Sequence, residues 1–392
     1  MFRIKLDYSF THDGSGAAPH LDNALFTLLR AIRESGSISQ SAKTLRLSYR
    51  HVWGELKRWE GALGHTLIEW VKGRRARLSP FGEKLLWAEE RARARIGPQV
   101  QSLAAEMERA FAVAFDQHTH VLPVCASHDL ALPLLRDDLA TQGVHLDLRY
   151  AGSLDALAAL TAGRALLAGF HVNDDHPAGS LTARAFKRAL TPGTHKLIDF
   201  ARRRQGLIVP AGNPQQLAAL ADLARGAERA ALRAAVGSPA HGAACGDPAS
   251  AGSAVRFINR QRGSGTRIEF DQLLAAAQID PAAINGYGNE ETTHLAVAAA
   301  VAAGAADAGF GIEAAALHYR LGFVPLAGEH YYLVCLKETL QHPAVKLLTA
   351  HLESAAWRRR MATLPGYTLD APGNIVALTR ALPWYRWRRA KG

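Results

Sequence analysis

Cysteine is almost absent. Cys125, Cys245 and Cys335 are the only three in 392 residues, far apart and with no Cys-x-x-Cys pair. An odd number at that spacing excludes a disulfide framework and a thiolate zinc site and suits a reducing compartment. Long uncharged apolar runs are missing too. The Ala-rich stretch near 295–306 is too short and too small in side chain to span a bilayer. The opening residues, MFRIKLDYSFTHDG, hold no apolar core of signal-peptide length. The expectation is a cytoplasmic protein with no membrane association. Also lacking are a nucleophile elbow, a metal triad and a pair of catalytic acids, so no enzyme, metal site or required cofactor is expected. No internal repeat is visible.

Positive charge is in excess, and its placement is informative. The net charge is +11, from 46 basic and 35 acidic residues. Residues 1–117 hold eighteen basic and thirteen acidic groups, residues 118–377 hold twenty-three and twenty-two, and residues 378–392 hold five and none. A nearly neutral centre with basic ends points to a polyanion bound at the ends, with salt-dependent affinity. The length allows two or three domains with sizeable cores.

Residues 28–60, LLRAIRESGSISQSAKTLRLSYRHVWGELKRWE, carry the strongest local pattern. Ala24, Leu25, Leu28, Leu29 and Ile32 form one helical stripe closed by Ser35-Gly36. A short helix follows with Ile38, Ala42 and Leu45 inward and Ser37 or Ser39 as cap. After a break at Arg46-Leu47, Ser48 caps a third helix whose inner face is Val52, Leu56 and Trp59. Its outer face carries Tyr49, Arg50, His51, Lys57 and Arg58. That is a helix-turn-helix, in which the second helix of the pair enters the DNA major groove. Residues 66–79 read as two short strands around Lys72, Gly73, Arg74 and Arg75, a basic wing.

GSISQSAKTLRLSYRHVWGELKRWE resembles the winged helix-turn-helix of the molybdate-responsive ModE family, whose members read close to GSISQAAK-x-x-GLSYK-x-AW. The LysR-type regulators share the same core. The resemblance covers residues 21–86. The Gly-rich wing loop common in that family is replaced by the shorter, more basic WVKGRRARLSPFGEKLL. What the resemblance implies is a partner of double-stranded DNA. Tyr49, Arg50 and His51 would then face base edges. Lys43, Arg58, Arg74 and Arg75 would face phosphates, with Ser39, Gln40 and Ser48 beside them.

The expected fold class is α/β: an N-terminal winged helix-turn-helix (1–79), a long linker or dimerisation helix (80–117), a two-lobed domain (118–378) and a basic aromatic tail (379–392). One strand is expected in residues 1–10. In the long helix Leu85, Leu86, Ile96, Val100, Leu103, Met107 and Phe111 give an apolar stripe, with Gly97-Pro98 kinking or breaking it. We expect it to pair with a mate in a homodimer or dimer of dimers; the alternative is a rigid linker packed on its own chain. From His120 strands and helices alternate as βαβαβ, implying a parallel sheet. Residues 176–205 read as less regular, GLIVP as a strand and QQLAALADLARG as a helix. Residues 226–254 read as part helix and part mobile loop. Further strands are expected at VRFINRQ, AADAGFG, GFVPL and HYYLVCLK, and helices at SGTRIEFDQLLAAAQ, THLAVAAAVAAG and 343–361. A unit that leaves one lobe, visits another and returns has the architecture of type II periplasmic binding proteins, which close on a ligand by a hinge.

Two strand-to-helix junctions place hydroxyls at helix N-termini, where free N–H groups and the dipole favour an anion. The first is Ser127-His128-Asp129. The second is Arg262-Gly263-Ser264-Gly265-Thr266-Arg267, whose arginines suit an oxyanion. It lacks the Gly-Lys-Ser/Thr ending of a nucleotide loop. A third junction offers Thr293 and His294. In Glu329-His330-Tyr331-Tyr332 one tyrosine can face the cleft and its neighbour the core. His171, Asp174 and Asp175 read as loop groups. The tail PWYRWRRAKG, with Trp384, Tyr385 and Trp387, is open to two readings, a contact to DNA or a partner subunit and a frayed end.

FINRQRGSGTR, THLAVAAAVAAGAADAGFGIEAAA and GFVPLAGEHYYLV together resemble the PBP-like domain of some molybdopterin-biosynthesis proteins, also found fused to ModE-type DNA-binding domains. This resemblance covers residues 120–378. It implies a sensor of a small anionic effector tied to molybdenum or tungsten enzymes: molybdate, tungstate, molybdenum cofactor or formate, the last because such regulators accompany formate dehydrogenases. The oxyanion-binding C-terminal domains of ModE itself are absent. The expectation is a one-component transcriptional regulator. The alternatives are a molybdenum-cofactor carrier or biosynthesis protein with a DNA-binding module, and a structural DNA binder that senses nothing.

Overall fold

The computed structural model describes residues 23–70, 75–115, 120–174, 176–224 and 254–385. The expected strand in 1–10, the wing tip with Arg74, Asp175, nearly all of 226–254 with Cys245, the Phe111 side chain and the tail beyond Tyr385 lie outside them.

The reading head is three helices and a hairpin. α1 (Ala24–Ser35) is capped by the Asn23 side chain and ended by Gly36 in the left-handed conformation. Ser37 caps α2 (Ile38–Thr44) and Ser48 caps α3 (Tyr49–Leu63), as their spacing predicts. Arg46, at φ 55°, makes the break between them. β1 (Ile68–Glu69) and β2 (Arg77–Leu78) pair antiparallel as the stem of the wing. Leu25, Leu28, Leu29, Ile32, Ile38, Val52 and Leu56 fill the core. Leu86 joins that core, so the head extends past residue 79 into the next helix.

α4 (Pro80–Phe115) is continuous through Pro98, so of the kink or break expected at Gly97-Pro98 the break does not occur. A proline removes one helix hydrogen bond, here to the Ala94 carbonyl. The Thr293 hydroxyl from the two-lobed domain donates to that carbonyl instead, at 3.0 Å. The helix is held by its own chain along its length. Arg91 and Arg95 pair with Glu291, Ser102 Oγ accepts from the Tyr150 N–H, and Arg109 pairs with Asp147. Of the expected apolar stripe, Leu86 is buried while Ile96 and Leu103 are exposed.

The two-lobed domain is built on one ten-stranded mixed sheet that serves both lobes. β3 (His120–Ala126), α5 (Ala131–Ala140), β4 (Val144–Tyr150), α6 (Ser153–Thr161) and β5 (Leu167–Asn173) give the expected parallel βαβαβ, with β3 between β4 and β5. Residues 176–205 are more regular than expected. They form α7 (Leu181–Phe186) and most of β6 (His195–Val209), a fifteen-residue strand. QQLAALADLARG is not helical at its start: Gln216 has φ 51°, and helix begins at Ala221.

The second lobe holds β7 (Phe257–Arg260), α8 (Gly265–Ala276), β8 (Glu290–Glu291), α9 (His294–Ala302), β9 (Ala308–Ile312) and α10 (Glu313–His318). GFVPL and HYYLVCLK are one strand, β10 (Gly322–Leu336), interrupted in register near Pro325 and Tyr331. The expected 343–361 helix splits at Ser354, which caps the second piece, into α11 (Pro343–Glu353) and α12 (Ala355–Met361). β11 (Tyr367–Thr368) and β12 (Ile375–Ala377) return to β6, and α13 (Leu378–Ala381) follows.

β6 and β10 are antiparallel and belong to both lobes. In the first lobe β10 pairs with β5 from Glu329 to Val334; in the second β6 pairs with β9 from Gln205 to Ile208. Each lobe has an apolar layer on both sheet faces. Leu382, Trp384 and Tyr385 are buried in one of these layers, and the Tyr385 hydroxyl donates to the Leu190 carbonyl. The start of the expected tail is therefore core. Its three apolar or aromatic residues are better buried than exposed.

Candidate functional site

The groups that could hold a ligand meet where the strands cross between lobes. Arg203 of β6 is at the centre and fully buried. Its guanidinium donates to Asp129 and to Glu329 of β10, and one Nη lies 2.8 Å from His171 Nδ1. Gln205 also donates to Glu329, and the Tyr367 hydroxyl donates to Asp129 at 2.8 Å. Tyr331 stacks on His171 with centroids 4.3 Å apart and donates to the Ser127 carbonyl; the Ser127 hydroxyl bonds the other His171 nitrogen. Tyr332, one residue on, stacks on His330 on the opposite face. Burial works against the Arg203 charge, but Glu329 and Asp129 raise its pKa above the ordinary value. Burial raises that of Glu329 against the pull of Arg203.

Arg260, at the end of β7, is the second buried cation, 3% exposed. Its Nε donates to Gln261 Oε1 and one Nη to the Thr292 carbonyl, while Nη1 has no hydrogen-bond partner among the described residues. No carboxylate pairs with it among the described residues. Burial, then the like charge of Arg203, pushes its pKa down to about 9. Burial and the same two arginines hold three nearby histidines neutral. His128 is pushed down to about 3, and His171 and His294 lie well below the usual range.

Two helices begin at this spot from opposite lobes. No side chain caps α6, and the Ser153 Oγ, fully buried, has no partner among the described residues. Gly265 opens α8 so close that a Cβ there would lie 3.3 Å from the Ser153 Oγ. The lobes also meet where Gln272 accepts from Thr182. The two lobes are in contact here, and the N-termini of α6 and α8 meet at that contact.

Of the residues singled out in the sequence, Ser127, His128, Asp129, Gly265, Thr266 and His294 gather at the cleft. Thr266 Oγ1 lies 3.4 Å from His294 Nε2, and His128 packs on Tyr150. The other four lie at its edge or make other contacts. Arg262 is exposed beside Glu290. Arg267 pairs with Asp271 and Glu290 and lies over the Tyr287 ring, a structural tie. Ser264 caps α8, and Thr293 caps α9 and reaches the linker helix. Sequence reasoning passes over Arg203, Gln205, Arg260 and Tyr367, and reads His171 as a loop group although it lies within β5. A charged residue inside an otherwise apolar strand is the available signal.

On the reading head Ser39, Gln40, Lys43, Ser48, Tyr49, Arg50, His51 and Arg75 are all exposed. Arg58 is exposed as well, paired with Glu55 and lying over the Trp59 ring. Tyr49, Trp53 and Trp70 form an aromatic ridge between the start of α3 and the wing, with Lys57 over Trp53.

The chain matches the family described as "PBP superfamily domain" over residues 136–241 and 248–353, and "Bacterial regulatory helix-turn-helix protein, lysR family" over 24–83. It is 30% identical over 255 residues to the uncharacterized protein YvgK of Bacillus subtilis (strain 168), covering 65% of this chain and 73% of that protein. It is 38% identical over 110 residues to an uncharacterized protein in the ferredoxin 2Fe-2S gene 5′ region of Clostridium pasteurianum, covering 28% of this chain and 97% of that one. Among solved structures it is similar to a peroxide-bound mutant of Corynebacterium glutamicum OxyR at a TM-score of 0.38 and 17% identity, over 86% of this chain and 95% of that one. No helix among the described residues is long and apolar enough to cross a membrane. The chain belongs to the PBP superfamily domain family and carries at its head a segment that matches the lysR-family bacterial regulatory helix-turn-helix.

Proposed function

We propose that the cleft takes a small oxyanion and that its occupancy changes how the reading head holds DNA. The observation that carries this reading is Arg260: a buried guanidinium beside another cation, with one Nη unpartnered among the described residues and no carboxylate of its own. An anion there supplies the missing counter-charge, and charge-assisted bonds at a buried site are strong. Ser153 and the starts of α6 and α8 add further donors. Lobes in such close contact suit a compact ligand, and molybdate and tungstate are candidates because the two-lobed domain resembles molybdopterin-associated domains. Formate and molybdenum cofactor follow from the likeness of the sensor to molybdopterin-associated domains. Binding by two copies to paired half-sites is part of the same proposal, with the first turn of α3 in the major groove.

Thermal unfolding of the full chain with millimolar molybdate, tungstate, sulfate or formate tests the ligand class. At least one oxyanion raises the melting temperature in a concentration-dependent way, and Arg260→Ala removes the rise. No shift with any of them overturns the oxyanion reading.

A further inference from the structure

Four consecutive residues join the cleft to the linker helix. Glu291 is 1% exposed and accepts from Arg91 Nε at 2.7 Å and from Arg95 Nε and Nη2 at 2.6 Å, both on α4. Thr292 offers its carbonyl to Arg260 Nη2 at 3.1 Å. Thr293 donates to the Ala94 carbonyl that Pro98 leaves open. His294 lies in the cleft beside Thr266. Two of the four residues hold the linker and two reach the ligand site, and Arg260 and Glu291 are register partners on adjacent strands.

The linker carries the contact onward. Glu90, beside Arg91 in sequence, accepts from Arg33 of α1 at 2.6 Å, and that guanidinium lies 4.5 Å over Trp87. Trp87 also packs on Tyr319 of the sensor. Within one turn of α4, Glu90 grips the reading head and Arg91 grips the sensor.

We infer that the Glu291 carboxylate is the joint through which the cleft and the reading head sense each other. The inference rests on the cleft being the ligand site and adds how its state is transmitted. An anion drawn to Arg260 competes with, or tightens, its hold on the Thr292 carbonyl. The peptide between Glu291 and Thr293 then cannot stay fixed relative to α4. Moving it moves Arg91, Ala94 and Arg95 together, because arginines held by one buried carboxylate shift with it or lose it. The linkage is reciprocal: DNA that biases the head must bias the cleft by the same free energy.

That reciprocity allows a test that needs no ligand. Hydrogen exchange of the 259–266 and 291–296 amides is followed in the full chain with and without a duplex that the chain itself selects from a random library. DNA changes their exchange at least about twofold in the wild type and leaves it unchanged in Arg95→Ala and Glu291→Gln. The Arg95 side chain is 46% exposed, so its removal spares the core. An equal change in all three proteins overturns the joint, and so does no change in the wild type. A second arm uses sodium molybdate as the probe. DNA affinity shifts about tenfold on its addition in the wild type. In Arg95→Ala the shift disappears, while the molybdate-induced rise in melting temperature remains. If molybdate shifts nothing even in the wild type, the oxyanion reading fails for that probe, and the exchange experiment decides the joint alone.

Discussion

Ser153 and Gly265 open helices in different lobes and touch across the cleft, a Cβ on Gly265 reaching within 3.3 Å of the Ser153 Oγ. Alanine there requires a shift of a few tenths of an ångström, and valine requires the lobes to part. Gly265→Val is expected to weaken anion binding by at least about tenfold, with Gly265→Ala between it and the wild type. Isothermal titration measures the loss, and small-angle scattering shows a larger radius of gyration for the valine variant.

Arg260 and Arg267 are seven residues apart and should behave in opposite ways. Arg267 ties Asp271 and Glu290 together, so Arg267→Ala costs about 2 kcal/mol of stability and leaves the anion-dependent thermal shift intact. Arg260→Ala abolishes that shift and leaves the unliganded melting temperature unchanged or higher, because it removes one of two buried like charges. Melting curves of both variants with and without anion decide the matter.

His128 stays neutral in the folded chain down to about pH 3, held there by burial and by Arg260 and Arg203, whereas the unfolded imidazole titrates near 6.5. The unfolded state therefore binds the extra proton first. The stability this provides is complete above about pH 6.5 and is lost progressively as pH falls toward 3. Melting temperature is expected to drop between pH 7 and pH 5, less steeply in His128→Asn.

Arg50 stands exposed in the first turn of α3 and Lys43 in the last turn of α2. Arg50→Ala should reduce discrimination between the selected site and a scrambled duplex by about 1–3 kcal/mol. Lys43→Ala should weaken both duplexes alike and reduce the salt slope by about one. Equal loss on both duplexes for Arg50→Ala would remove it from base reading.

Trp384 is 3% exposed within the first lobe, edge-on to His176. Trp384→Ala is expected to cost about 3 kcal/mol or more by chemical denaturation. A free terminal tail would show no loss.

The reading head was legible because its determinants are local: the serine caps and the apolar stripes lie within a few residues of what they specify. The βαβαβ start of the sensor was legible for the same reason. Ser127, Asp129, Thr266 and His294, which the structure places near one another, could be picked out because junctions announce themselves by short polar runs. Arg203 and Glu329 were not, since their meeting depends on two distant strands crossing in a particular register. The Arg-Gly-Ser-Gly-Thr-Arg run drew notice to Arg262 and Arg267, while Arg260, which ends the buried strand just before it, holds the open guanidinium. The tail misled because aromatic residues among cations look like a surface motif until a groove in the core accounts for them.

The two strands shared by both lobes also constrain how the chain is made. β5 gains its second neighbour only when β10 has left the ribosome, and Trp384 and Tyr385 join the first lobe later still. A nascent chain halted before Gly322 would expose the edges of β5 and of β6 that β10 later fills, and unpaired edges invite aggregation and proteolysis. The whole second lobe is, in that sense, an insertion that must settle while its host waits unfinished.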